Sequence, residues 1–227
     1  MTKTEKHRNF SKSIIFFGPD GAGKTTLAQL LVSYFQSKGN RSKIAWMRAR
    51  HSIAFFLAKF LKKMGYVRIV KSPNGCISYR IFDPSLLPKM KQLWYGIEFV
   101  SILPWIITRV YVPRLFGYVV VSERYVVDTV VYLDYWLGGG TMNSFLSKVL
   151  LCLIPKDSVM VHMDAETNVL LQRRPEDYVN KDFIVFQRNA YKAFAKSLNA
   201  FSVDTTNSGL KDNFIRVTEY LGTTQTK

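Results

Sequence analysis

Residues 18–25 read GPDGAGKT, a glycine-rich loop that closes on a lysine and a hydroxyl in the pattern G-x-x-x-x-G-K-[ST]. Glycines let the backbone fold around phosphate with successive N–H groups pointing inward. The helix that must start near Lys24 adds its positive N-terminal end. Lys24 is placed to reach the β and γ phosphates of a nucleoside triphosphate, and Thr25 to offer its hydroxyl to Mg²⁺. The nucleotide-binding candidates are therefore Gly18, Asp20, Gly21, Ala22, Gly23, Lys24, Thr25 and Thr26. A second chemical pair, Glu123 and Arg124, ends the run VVVSER. A carboxylate at the end of a buried strand beside the loop can hold Mg²⁺ directly or through water, so Thr25 and Glu123 are the candidate metal ligands. Arg124 presents a bidentate fork to a phosphate. The competing reading of that pair is a surface Glu–Arg contact that caps a strand.

The elements needed to position these groups are legible around them. Residues 13–18 (SIIFFG) form a short continuous apolar run ended by glycine, as in a strand buried on both faces. Residues 25–37 carry Leu27, Leu30, Leu31, Tyr34 and Phe35 at helical spacing, and Gly39 and Asn40 stop them. Further strands are expected over residues 43–47, 117–121, 158–163 and 200–203, and helices over 52–64, 89–110, 129–136, 142–153, 165–173, 181–198 and 210–221. Residues 65–90, rich in proline and glycine, read as irregular, with room for one short helix. Strands alternating with helices imply right-handed crossovers and a parallel sheet covered on both faces. Ligands then gather at the carboxyl ends of the strands, where the charged clusters fall. The expected architecture is an α/β P-loop fold with five parallel strands and helices on both faces, in one domain spanning 1–227 after a basic tail at 1–12.

The chain has 227 residues, 48% of them hydrophobic, enough for one sizeable core. Its formal charge is +16, from 32 basic and 16 acidic residues. Between residues 21 and 122 there are 16 Lys or Arg against two acids, Asp83 and Glu98, a field that attracts anions. Lineage bias alone explains such a charge equally well. Cys76 and Cys152 stand far apart with no metal-ligand spacing, which suits reduced, buried thiols in a cytoplasmic protein. Residues 99–108 (FVSILPWIIT) are about half the length that spans a bilayer, so a buried helix kinked at Pro104 is expected. The guanine-reading pattern N-K-x-D fails at Asn180-Lys181-Asp182-Phe183, and no L-S-G-G-Q signature occurs. Small P-loop kinases remain.

GPDGAGKTT followed by SERYVVDTVVY resembles the thymidylate kinase family in element order along the whole chain. The likeness is looser at VHMDAETNVLLQRR and FQRNAYKAFAK and slight between residues 50 and 115. It implies an enzyme that moves the γ-phosphoryl of ATP, with Mg²⁺, onto a nucleoside monophosphate, most readily dTMP. It implies that Asp20 approaches the acceptor sugar hydroxyl, that Arg124 and Arg48 clamp the acceptor phosphate, and that Glu123 serves as metal or catalytic carboxylate. Tyr125 belongs to the same substrate-facing box. It implies the α/β P-loop kinase fold with a short lid at about 173–182: the helix that ends near Arg173 and Arg174 is broken by Pro175, and such a segment is a lid in nucleotide kinases. Its arginines meet the transferring phosphoryl group, with Arg188 behind them. The macrodipole favours arginines at a helix end with no catalysis involved. In that family the loop holding Asp204 and Thr205 passes near the adenine, and a turn with an N-cap explains the same residues equally well. A homodimer is implied as well, with residues 93–116 as its apolar face.

The chain departs from that family where the base is read. The turn after the second strand is Arg48-Ala-Arg50-His51, and the helix over the base site reads LWYGIEF with no arginine before Arg109. Trp94, Tyr95 or Phe99 there could stack on a base, but helical spacing favours a core role. Two alternatives stay open: a P-loop kinase for a different acceptor, or an ATP-gated protein that binds nucleic acid or an anionic membrane. The helix at 52–64, with lysines beside an apolar face, motivates the second.

Overall fold

The computed structural model describes residues 13–47, 52–71, 78–82, 87–174 and 181–223. Strand β1 (Ser13–Phe17) is buried along its length and lies at the centre of a five-stranded sheet. Its neighbours are β5 (Val119–Glu123) and β6 (Ser158–Asp164), with β2 (Ser42–Trp46) outside β5 and β7 (Phe201–Asp204) outside β6. All pairings in this sheet are parallel. A central strand must be apolar on both faces, which is why the alternation expected of a half-exposed strand is missing here.

The two faces carry two cores. Ile15 and Phe17 point into a layer built by α2 (Ser52–Lys63), α3 (Leu87–Ile106), α5 (Val126–Trp136), α6 (Phe145–Cys152) and α8 (Lys181–Ser197). Ile14 and Phe16 point into the other, built by α1 (Lys24–Ser37), α7 (Thr167–Arg173) and α9 (Leu210–Thr223). Leu27 and Leu31 of α1 meet Leu170 of α7 and Val217 and Leu221 of α9 in that second core.

Four expectations need correction. Residues 65–90 are not wholly irregular: β3 (Val67–Lys71) and β4 (Ser78–Phe82) pair as an antiparallel hairpin, Val67 opposite Phe82. Two five-residue runs are short enough to be hidden among prolines and glycines. The long helix does not simply kink at Pro104. It passes into a π-helical turn at Ile107–Tyr111 and then α4 (Val112–Leu115). Proline has no N–H to give the preceding turn, and Thr108 Oγ1 donates to the Pro104 carbonyl at 2.7 Å. Nor is this segment wholly buried. Residues 91–115 form a helical run long and apolar enough, by length and composition, to cross a membrane; Ile102, Ile106 and Val110 are buried while Leu93, Val100 and Ile107 are exposed. Lastly, Cys152 is a free, exposed thiol rather than a buried one. Cys76 and the basic tail at 1–12 lie outside the described residues.

Candidate nucleotide site

Parallel strands in register bring their carboxyl ends to one edge of the sheet. Phe16 of β1 and Trp46 of β2 both pair with Glu123 of β5, and Asp164 pairs with Asp204. The phosphate loop leaves β1 at Gly18 on that edge. A Cβ at Gly18 would stand 2.0 Å from the Met163 carbonyl oxygen, and its φ of +146° is closed to other residues, so the loop can pass β6 only as glycine. Gly21 and Gly23, at φ +88° and +86°, turn the chain into α1.

Lys24 is buried beneath this loop. Its ammonium donates to the carbonyls of Gly18 at 2.6 Å and Pro19 at 2.7 Å. Burial, with the Arg124 guanidinium nearby, lowers its pKa to about 8, against the opposing pull of Asp20, Asp128 and Glu123. Arg124, at the end of β5, donates to Asp20 Oδ1 at 2.5 Å. Burial works against its charge, yet the carboxylates of Asp20, Asp128 and Glu123 hold it more firmly protonated than a free arginine. Arg174 lies 3.7 Å from Asp20 Oδ2, and Lys24 4.0 Å from Oδ1. One carboxylate thus gathers three cations from the loop, from β5 and from the end of α7.

Thr25 Oγ1 donates to Glu123 Oε1 in a very short contact. A hydroxyl and one carboxylate form the oxygen donor set that Mg²⁺ takes while keeping waters and substrate phosphates as its other ligands, so these two residues fit that ion. Arg173 works elsewhere. It donates to the Thr205 carbonyl at 2.6 Å and to Gly21 O at 3.4 Å. Thr205 in turn donates from its backbone N–H to Asp164 O at 2.8 Å and from its hydroxyl to Ala22 O at 3.4 Å. The loop, β6 and the segment after β7 are tied at this point. Arg188 is held away from the Asp20 cluster by Asp164, at 2.9 and 3.2 Å, and Lys192 joins it at 3.2 Å.

Two residues expected to face substrate are buried in the core. Tyr125 is fully buried and its hydroxyl donates to the Leu153 carbonyl at 2.8 Å. Trp94 is 3% exposed and belongs to the core beneath α3. Both are apolar bodies on a helix or its cap, and the core takes them. Thr26 is exposed on the first turn of α1. Arg48 and residues 175–180, where a lid is expected, lie outside the described residues.

Three supporting residues were missed. Gln187 Oε1 accepts from the Asp20 N–H at 3.3 Å and so steadies the loop from α8. Asp128 accepts from the Tyr125 N–H at 3.0 Å and from the Tyr191 hydroxyl at 2.9 Å, and burial raises its pKa. Gln187 and Tyr191 sit in FQRNAYKAFAK, four residues apart on α8, a helical spacing that marked them only as neighbours.

No protein-family model matches the chain, and no curated protein matches it. Among solved structures it is similar to the thymidylate kinase from Ehrlichia chaffeensis, with a TM-score of 0.58 and 15% sequence identity over 94% of this chain and 99% of that chain. At that identity the likeness is one of fold, and the chain has the α/β fold of P-loop kinases: a five-stranded parallel sheet between two helical layers.

Proposed function

We propose that the protein transfers the γ-phosphoryl group of ATP to the phosphate of a nucleoside monophosphate, with dTMP as the first acceptor to test. The observation that carries this reading is the convergence of Lys24, Arg124 and Arg174 on Asp20, with Thr25 and Glu123 beside them. Lys24 holds the β and γ phosphates. Arg124 aligns the acceptor phosphate opposite it, so that the acceptor oxygen attacks in line. Arg174 neutralises charge on the moving group, and Arg173 fixes the loop to the segment that flanks the base. Thr25 and Glu123 would hold Mg²⁺, which when bound would offset the negative charge of the phosphates. An acceptor phosphate is already ionised near neutral pH, so no strong general base is required. The buried His162, whose pKa is lowered to about 4, fits a neutral structural role.

A second acceptor class is favoured by one specific observation. Trp94 and Tyr95 are core residues, which removes two of the aromatics that were candidates to stack on a base. Under this reading the transfer chemistry is kept and the acceptor is a nucleoside, a sugar or a polyanionic end. A panel of nucleoside monophosphates and nucleosides, with ATP and Mg²⁺, separates the two. Turnover on dTMP that vanishes in Lys24→Ala supports the first reading; turnover on none of the panel overturns it. The same reading carries a homodimer. Leu93, Val100 and Ile107, exposed at seven-residue intervals, support such a face. Its nucleotides belong to the cytoplasm.

A further inference from the structure

Helix α2 turns its most apolar face outward. Ile53, Phe56, Phe60 and Met64 recur at steps of three and four residues and are 56%, 70%, 57% and 53% exposed. The core side of the helix is carried by Ala54 and Leu61. The orientation is pinned: the Ala54 N–H donates to Ser101 Oγ of α3 at 3.1 Å, and Ser101 Oγ donates back to Ile97 O at 2.7 Å. A stripe of two phenylalanines, an isoleucine and a methionine held toward water marks a docking face.

Charge decides what docks there. On the helical wheel Lys59 and Lys63 border the stripe on the side away from the core, and Lys62 lies beyond them; all three are exposed. No acid occurs from Ser52 to Lys71, and the β3–β4 hairpin that follows adds Arg68, Lys71 and Arg80 to the sequence. A two-fold related copy would bring a second set of these bordering lysines to the same interface, and like charges there oppose association. An anionic lipid surface answers both features. Phenylalanines enter the boundary between head groups and acyl chains, and lysines meet the phosphates.

We propose that α2 docks the protein on an anionic membrane surface, its axis in the plane of the interface. The inference stands on α2 alone and is independent of the phosphoryl-transfer reading. The test is flotation of the full chain with vesicles of phosphatidylcholine alone and of phosphatidylcholine mixed with phosphatidylglycerol. Wild type should float with the mixed vesicles, lose binding as salt rises, and stay behind with phosphatidylcholine alone. Phe56→Ser/Phe60→Ser should weaken partitioning by about tenfold or more, with an unchanged thermal melt because both side chains are exposed. Phe56→Trp should show a blue-shifted emission on the mixed vesicles only. Equal flotation of wild type and the double variant, indifference to anionic lipid, or no flotation of wild type would overturn the proposal. So would a wild-type dimer that the double variant converts to a monomer with no vesicle binding in either, since the stripe would then be a subunit interface.

Discussion

Asp20 of the phosphate loop and Arg124 at the end of β5, 104 residues apart in sequence, are joined by a 2.5 Å ion pair at the carboxyl edge of the sheet. Asp20 is 9% exposed, and two further cations, Arg174 and Lys24, stand within 4.0 Å of its carboxylate. A carboxylate here occupies the electrostatic position that an incoming phosphate would share. The loop is thereby held in shape by a charge that a ligand can supplement or replace.

Asp20→Asn removes that charge while keeping the size of the side chain. Arg124 is then left with less compensation in a site where it is largely buried, and stability should fall by about 3 kcal/mol. The shift in Tm on adding ATP and Mg²⁺ should be larger in the variant than in wild type, because phosphate restores the missing counter-charge. Differential scanning calorimetry with and without ATP measures both. A ligand-induced shift no greater than that of wild type would refute the role given to Asp20.

Arg124 itself has a φ of +71°, a left-handed backbone that side chains with a Cβ adopt at a cost. The bend lets β5 stop and α5 begin two residues later while the guanidinium turns back over the loop. Arg124→Ala and Arg124→Gly should both abolish turnover on any acceptor. Glycine alone relieves the backbone, so Arg124→Gly should be more stable than Arg124→Ala by about 1 kcal/mol, or roughly 2–4 °C in Tm. Equal melting temperatures would show that the bend carries no strain.

The sequence made the loop, the five strands of the sheet and most helices legible, because each rests on local pattern: an apolar run, a glycine cluster, a 3.6-residue period. It also pointed to Lys24, Thr25, Glu123, Arg124 and Arg174, which meet at one edge for the topological reason that parallel strands end there. What stayed hidden depends on contacts between distant segments. Nothing in Gln187 or Asp128 announces that one will brace Asp20 and the other cap α5 under Tyr191. Trp94 and Tyr125, expected to face substrate, lie buried in the core, since an aromatic at helical spacing serves a core or a ligand with one pattern. The β3–β4 hairpin was hidden by its short strands.

The contact between Thr25 and Glu123 makes a specific demand on metal dependence. Thr25→Ala removes a neutral oxygen donor, and Glu123→Gln removes a charge. Both should raise the Mg²⁺ concentration needed for half-maximal turnover, Glu123→Gln by about tenfold or more and Thr25→Ala by less. Binding of metal-free ATP should change little in Thr25→Ala. A Mg²⁺ titration of activity beside calorimetric binding in EDTA checks this, and an unchanged Mg²⁺ requirement in both variants would remove these residues from the metal site.

His162 lies buried in β6, its Nδ1 3.2 Å from Ser202 Oγ, with Phe17 packed on its ring. Burial, helped by Lys192, Lys24 and Arg188 and opposed by Asp164, lowers its pKa from 6.5 to about 4. Between those values the unfolded chain binds a proton that the folded chain refuses. Stability from this group is complete above pH 6.5 and drains away as the pH falls toward 4. Measured against His162→Asn, wild type should lose up to about 3 kcal/mol across that window. Parallel acid-side slopes in urea titrations of the two proteins would contradict it.

Lys24 reverses the usual bookkeeping for a lysine. Its folded pKa of about 8 lies below the ordinary 10.5, because burial and Arg124 disfavour the ammonium more than Asp20, Asp128 and Glu123 favour it. The unfolded chain therefore binds more protons between those two values. Wild type should gain stability relative to Lys24→Met as pH rises from 8 to 10.5, by up to about 3 kcal/mol, while below pH 8 the buried charge weighs in full against folding. Function should run the other way. Only the ammonium holds phosphate, so the Kd for ATP should rise about tenfold per pH unit above the pKa of the free protein. Lys24→Arg, which cannot lose its proton in this range, should show a flat profile whatever its absolute affinity. Calorimetric binding of ATP across the alkaline range reads both, and a wild-type profile as flat as that of Lys24→Arg would mean that the loop lysine does not titrate there.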